Sequence, residues 1–109
     1  MKWIIKILEN QPYQISCLWN DGIVRTVDLG DFLKTAGKDP NNSYSKLLRK
    51  DRFSEVKCDG STLYWENGII MKDLDGKEYP AALDIDPDVL FEMTINNPPL
   101  RKRNKKTLV

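Results

Sequence analysis

The sequence has 109 residues, 40% hydrophobic and 30% charged, proportions that fit one globular domain and argue against wholesale disorder. Its net charge of +1 conceals a split: residues 1–95 hold twelve basic and sixteen acidic side chains, a balance of −4, whereas residues 96–109 hold five basic side chains and no acidic one. Histidine is missing altogether, which removes the commonest general base at neutral pH and the commonest metal ligand; no stretch approaches the ~20 apolar residues of a membrane-spanning helix.

In chain order, Trp3 to Leu8 mixes β-formers with lysines and predicts a first strand, broken by Asn10-Gln11-Pro12. Tyr13 to Trp19 alternates, with Tyr13, Ile15, Cys17 and Trp19 on one face and Gln14, Ser16 and Leu18 on the other. That is the period of a half-buried strand. Asn20-Asp21-Gly22 supplies a tight turn, because glycine accepts the positive φ such turns require. Ile23 to Leu29 is the returning strand, with Ile23, Arg25, Val27 and Leu29 facing one way. Gly30 and Asp31 open a short helix through Ala36, stopped by Gly37. Beyond a polar loop over 38–42, Ser43 or its neighbour caps a second helix carrying Tyr44, Leu47 and Leu48 on its apolar side.

Phe53 to Cys58 reads as a strand, Asp59-Gly60 as a turn, and Ser61 to Trp65 as the return. Glu66-Asn67-Gly68 predicts another turn, Ile69 to Lys72 an extended run, and Asp73 to Gly76 a further turn. Lys77 to Ile85 is extended in part, with Pro80 confining it to an edge or an irregular segment. Asp86 is a good N-cap and Pro87 suits the first helical position, so a helix of about two turns carries Val89, Leu90 and Met93 inward. The fold class is therefore α+β: an antiparallel meander of three N-terminal strands, two short helices, further hairpin strands and a short C-terminal helix. Residues 1–95 form the single domain. Residues 96–109, with Asn96-Asn97-Pro98-Pro99 and the basic run, have neither period nor bulk and are expected to be a disordered tail.

Three pieces of the chain, in order, carry a family resemblance. They are Leu18-Trp19-Asn20-Asp21-Gly22 leading to Val27-Asp28-Leu29; Phe53-Ser54-Glu55-Val56 followed by Leu63-Tyr64-Trp65-Glu66-Asn67-Gly68; and Leu83-Asp84-Ile85-Asp86-Pro87-Asp88-Val89-Leu90-Phe91-Glu92. Together they span roughly residues 3 to 93 and resemble domain-of-unknown-function family 2442, a family of small bacterial proteins. The resemblance implies an α+β fold and no known activity. Some members look like partners of neighbouring small proteins in suspected toxin–antitoxin pairs; others carry a helix-turn-helix domain for which this chain has no room. The chain departs from the family in the residues from Ile69 to Ala81, where typical members have almost none, and in its basic tail.

Catalytic chemistry finds little support. Cys17 and Cys58 lie on apolar strands with no imidazole to activate them, and read as buried thiols rather than nucleophiles or a disulfide. Asp73-Leu74-Asp75-Gly76 echoes a calcium loop, but its twelfth position is Asp84 rather than glutamate, so a solvated turn is preferred. Asp84, Asp86 and Asp88 read as helix-capping carboxylates. No cofactor and no metal are expected, and an enzyme is the least favoured of three classes. The leading class is a protein-interaction module, with Trp19, Tyr64 and Trp65 as candidate partner-binding residues because aromatic side chains beside turns make good anchors. The alternative is a nucleic-acid-associated accessory protein or autoregulator. It would use Arg101, Lys102, Arg103, Lys105 and Lys106 for electrostatic, sequence-tolerant contact with nucleic acid or an acidic partner. Met1 to Lys6 lacks the apolar run of a signal peptide, so the expected location is the cytoplasm, with no membrane partner. Self-association stays open.

Overall fold

The alternation read along residues 13–19 is the organising feature of the first half of the molecule. The structure, a computed structural model, describes residues 1–95. Strands β1 (Ile4–Gln11), β2 (Gln14–Trp19) and β3 (Val24–Asp28) form an antiparallel meander with β2 in the middle. The register sets Ile15 against Val27 and Cys17 against Arg25, while Ile7 lies opposite Cys17 on the other side. Ile15, Cys17 and Trp19 are fully buried, and the intervening Gln14, Ser16 and Leu18 are half-buried. One face of β2 is therefore the floor of the core. On the other face the Ser16 and Thr26 hydroxyls meet at 2.8 Å across the strands.

Helix α1 (Gly30–Ala36) carries Leu33 into the core. It ends at Gly37 because the chain must pass close there: a Cβ on Gly37 would sit 2.6 Å from both the Leu33 carbonyl oxygen and Leu48 Cδ1. A 3-10 helix over Ser43–Leu48 follows, started by Asn42, whose side chain accepts from the Tyr44 N–H. Here the structure departs from the strand expected over residues 53–58. Phe53 closes a short helix, α2 (Lys50–Phe53), and only Lys57–Cys58 is strand, β4. The physical reason is spacing. Phe53 and Val56 stand three apart, a helical interval, and the turn is closed by the Phe53 N–H on the Arg49 carbonyl at 2.9 Å and the Val56 N–H on the Phe53 carbonyl at 3.2 Å.

The second sheet is also antiparallel, β4 then β5 (Leu63–Lys72) then β6 (Glu78–Ile85). The turn expected at Glu66-Asn67-Gly68 is absent; β5 runs straight through those residues. They form an irregularity between the Trp65–Leu83 and Ile69–Ala81 pairs, with Asn67 at φ 55°. Gly68 permits it, since a Cβ there would lie 2.4 Å from Leu83 Cβ. Among the described residues β6 pairs with β5 alone, which makes it the edge strand that Pro80 requires. Helix α3 (Pro87–Glu92) starts where expected, the Asp86 carboxylate accepting from the Asp88 N–H at 2.8 Å. The chain then returns to β3, where Asp28 and Ile95 N–H groups donate to the Met93 and Thr26 carbonyls, each at 2.9 Å.

The two sheets meet at β1 and β4, where the Ile4 N–H donates to the Ser61 carbonyl at 2.9 Å. Both sheets and all the helices feed one cluster of buried side chains, with Phe53 at its centre. The Phe53 ring is 5.2 Å from Tyr13 and 5.8 Å from Trp65, and its carbonyl accepts from the Trp65 indole N–H at 3.1 Å. The result is the α+β fold anticipated from the pattern. Among the described residues no helix is long and apolar enough to cross a membrane. The basic residues Arg101, Lys102, Arg103, Lys105 and Lys106 lie outside the described residues.

Candidate interaction surface

The residues singled out from sequence divide sharply once placed. Trp19 and Trp65 are wholly buried, so neither offers surface to a partner. Trp19 follows Ile15 and Cys17 on the inward face and packs edge-on against Phe91, ring centroids 5.5 Å apart. Standing beside a turn leaves a tryptophan inside when its strand parity points inward. Tyr64, on the opposite face of β5 from Trp65, is half-buried. It lies at the foot of a larger exposed feature.

That feature is the distal half of the β5–β6 hairpin, from Ile69 to Ala81. Cross-strand partners share a face, so Ile69 with Ala81 and Met71 with Tyr79 continue the core-facing side outward, while Ile70 with Pro80 and Lys72 with Glu78 form the other side. Tyr64 pairs with Asp84 and belongs to this second side. Among the described residues nothing covers either side beyond Ile69: every residue from Met71 to Pro80 is exposed, Ile70 keeps 57% of its surface and Leu74 at the tip is entirely bare. An isolated two-stranded ribbon is marginal in water. This one is apolar on both sides as well, and we call it the arm.

Its tip is a three-residue turn. The Asp73 carboxylate accepts from the Asp75 and Lys77 N–H groups, each at 2.9 Å, and Gly76 takes φ +80°. The carboxylate that echoed a calcium ligand is thus occupied by the backbone of its own turn. Among the described residues no cluster of three potential ligands stands in metal-binding geometry. The foot of the arm is clamped at Glu66, whose side chain takes the Lys57 ammonium and whose carbonyl accepts from Arg52. That ion pair lowers the Glu66 carboxyl and raises the Lys57 ammonium from their ordinary values.

The remaining polar chemistry is structural. Arg25 faces inward from β3, its guanidinium 5.2 Å from the Phe91 ring centroid and 5.9 Å from that of Trp19. It grips Asp21 through two hydrogen bonds of 3.1 and 2.8 Å, which hold that carboxyl well below the usual carboxylate range. Cys17 is buried, and burial, with Cys58 adding a smaller push, drives its thiol up to about 12. Such a thiol carries no nucleophilic thiolate at neutral pH. An open depression of about 460 Å³ is lined by residues that include Lys2, Trp3, Gly60, Asp86 and Asp88. Its mixed charges converge on no single ligand chemistry.

No family model matches the chain, and neither a curated protein nor a solved structure shows significant similarity to it.

Sequence reasoning missed the arm as a surface although its signal was present. Ile69-Ile70-Met71 puts apolar side chains on consecutive positions, where a half-buried strand alternates. Such a run belongs to a strand covered on both sides, and nothing among the described residues supplies the cover.

Proposed function

We propose that the protein is a non-enzymatic protein-interaction module whose docking element is the arm. The observation that carries this reading is exposure: Ile70, Met71, Leu74 and Tyr79 stand together in solvent on one projecting ribbon. Contiguous exposed apolar surface of this kind marks interaction sites, and a ribbon with a free edge offers the main-chain pairing by which strands recruit partners. Tyr64 is the one aromatic candidate that remains beside this surface. The resemblance to domain-of-unknown-function family 2442 supports a bacterial, antitoxin-like role beside a neighbouring small protein, in the cytoplasm. The two cysteines, both free, suit that compartment.

The test is affinity capture from the native host with the intact chain and with a Met71→Ser, Leu74→Ser, Tyr79→Ser variant. A stoichiometric protein retained through high salt by the first and lost by the second is expected. Equal retention by both would remove the arm from the interaction.

The charge split favours a second reading, nucleic-acid association through Arg101, Lys102, Arg103, Lys105 and Lys106. It predicts nucleic acid released at modest salt and lost on removal of residues 97–109.

A further inference from the structure

The two edges of the arm differ in what they offer another strand. At the tip the Asp73 N–H donates to the Lys77 carbonyl at 3.0 Å and the Gly76 N–H to the Asp73 carbonyl at 3.0 Å. Asp73 thus turns its main-chain groups into the ribbon. Alternation along β5 then turns those of Met71 and Ile69 inward and those of Lys72 and Ile70 outward. The partner of Ile70 is Pro80, which has no N–H and fits the same alternation by standing at an outward-facing position of β6. The outer edge of β6 therefore lacks a donor midway, one of the ways proteins close an edge to further pairing.

The outer edge of β5 has no such guard. β4 reaches only Leu63 and Tyr64, and β5 contains no proline. Beyond Gly68 its outward N–H and C=O groups face no other strand among the described residues. Continuing the β4 position would cover them, but the chain supplies only two residues there.

Charge narrows the occupant. Residues 69–81 carry Lys72 and Lys77 against Asp73, Asp75 and Glu78, a nearly balanced set that gives no field for a strongly charged partner. A second copy brings the same mixed set and the same apolar side chains. Antiparallel apposition of two identical edges about a two-fold axis is self-complementary and closed. It raises the ribbon from two strands to four, past the number needed for independent stability. Pro80 on each outer edge then stops further addition, so the product is a dimer and not a fibre.

We propose that a second copy of this chain docks on the β5 edge, the two arms joining into one ribbon in the order β6-β5-β5-β6. This rests on reading the arm as the docking element and names its partner.

The experiment is sedimentation equilibrium of the full chain across a wide concentration range, beside three variants. Ile70→Pro removes one outward donor and leaves the inward ladder of Met71 and Ile69 in place. Ile70→Lys keeps the donor and sets like charges near the two-fold axis. Pro80→Val restores the missing donor on β6. The expected results are a dimer for the parent chain, a monomer for Ile70→Pro with an unchanged near-ultraviolet tryptophan signal, and a dissociation constant roughly tenfold higher or more for Ile70→Lys. Pro80→Val is expected to form species larger than the dimer. A parent chain monomeric throughout, or a dimer that persists in Ile70→Pro with the native tryptophan signal, would overturn the proposal. A monomeric parent that still captures a host protein through its arm overturns self-pairing alone; a dimer abolished by Ile70→Pro, with no arm-dependent host protein, supports self-pairing and removes the other partner.

Discussion

Two hairpins of this chain turn on the same chemistry and end in different surroundings. β2 and β3 are joined by Asn20-Asp21-Gly22, with Gly22 at φ +83° and its N–H on the Trp19 carbonyl at 2.9 Å. β5 and β6 are joined by Leu74-Asp75-Gly76, with Gly76 at φ +80° and its N–H on the Asp73 carbonyl at 3.0 Å. The first hairpin sends Ile15, Cys17, Trp19 and Val27 into the core with no exposed surface, whereas the distal part of the second buries no side chain past Ile69. Turn chemistry decides that a hairpin forms. Whether it is buried depends on a second layer, which Leu33, Leu47, Phe53 and Leu90 provide over the meander and nothing among the described residues provides over the arm.

The largest expected effect tests that division directly. Phe53→Ala should cost about 3–5 kcal/mol in urea unfolding, because it empties the centre of the core and removes the ring against Tyr13 and Trp65. Ile70→Ser and Leu74→Ser, measured at concentrations where the chain is monomeric, should each stay within about 0.5 kcal/mol of the parent. Arm variants as costly as Phe53→Ala would mean that the arm is part of the cooperative unit, and the comparison would fail.

A pair of glycines sharpens the boundary between the regions. Gly68→Ala should cost about 1–3 kcal/mol, since its Cβ would lie 2.4 Å from Leu83 Cβ and 3.1 Å from the Trp65 carbonyl oxygen. At Gly76 a Cβ meets nothing within 4 Å and only the positive φ resists it. That substitution costs about 1–2 kcal/mol locally and should appear as faster amide exchange in the arm with little change in global unfolding. Equal global effects at the two sites would erase the boundary drawn at Gly68.

Cys17 gives a third handle, on the body alone. Its thiol is raised to about 12 in the fold, against about 8.5 in an unfolded chain. A raised native value means that the stabilisation is complete below the unfolded value and declines as pH climbs towards the native one. Between those limits the slope is at most about 1.4 kcal/mol per pH unit. Cys17→Ala should flatten the alkaline limb of a stability profile, although it lowers the whole curve by losing buried volume. An alkaline limb just as steep in that variant would assign the slope elsewhere.

The sequence carried most of the body and little of the arm's meaning, for identifiable reasons. The β2–β3 hairpin, the helix from Gly30 and the Asp86-Pro87 start of α3 each rest on short-range rules of period, cap and turn, and all three formed where those rules put them. β1, by contrast, runs on through Asn10 and Gln11, expected to break it, because they pair with Ile15 and Gln14 of β2. Two errors came from local signals overruled by packing. Asn67-Gly68 has the composition of a turn, yet Leu83 stands close enough to draw β5 past it as an irregularity. Phe53 to Val56 has strand composition at a helical interval, and the helical turn wins by delivering Phe53 to Tyr13 and Trp65. The arm was legible as extended chain with a turn. Its bareness was not, because exposure is set by which other elements reach it, and those lie far away in sequence.

The smallest expected effect concerns the one charged group on the inward face of the meander. Arg25 stands opposite Cys17 in the register, and it is tolerated because its guanidinium lies over Phe91 and Trp19 while its donors reach Asp21 at the rim. Asp21 is held below the usual carboxylate range first by the Arg25 hydrogen bonds, with the Ile23 N–H and Lys2 adding to them. A depressed native value contributes stability above the unfolded value of about 3.9 and loses it as pH falls through the lower native one. Asp21→Asn keeps an acceptor for the Ile23 N–H and removes the charge. The parent and variant stabilities should therefore be separated near neutrality and converge as the pH is taken below about 4. The gap should be modest and shrink with salt, because Asp21 is exposed. Arg25→Ala should cost more than Asp21→Asn at every pH, since it also strips cover from two aromatic rings. Were the two variants equal, the arginine would be acting through its ion pair alone, and the wall it forms over Trp19 would carry no packing energy.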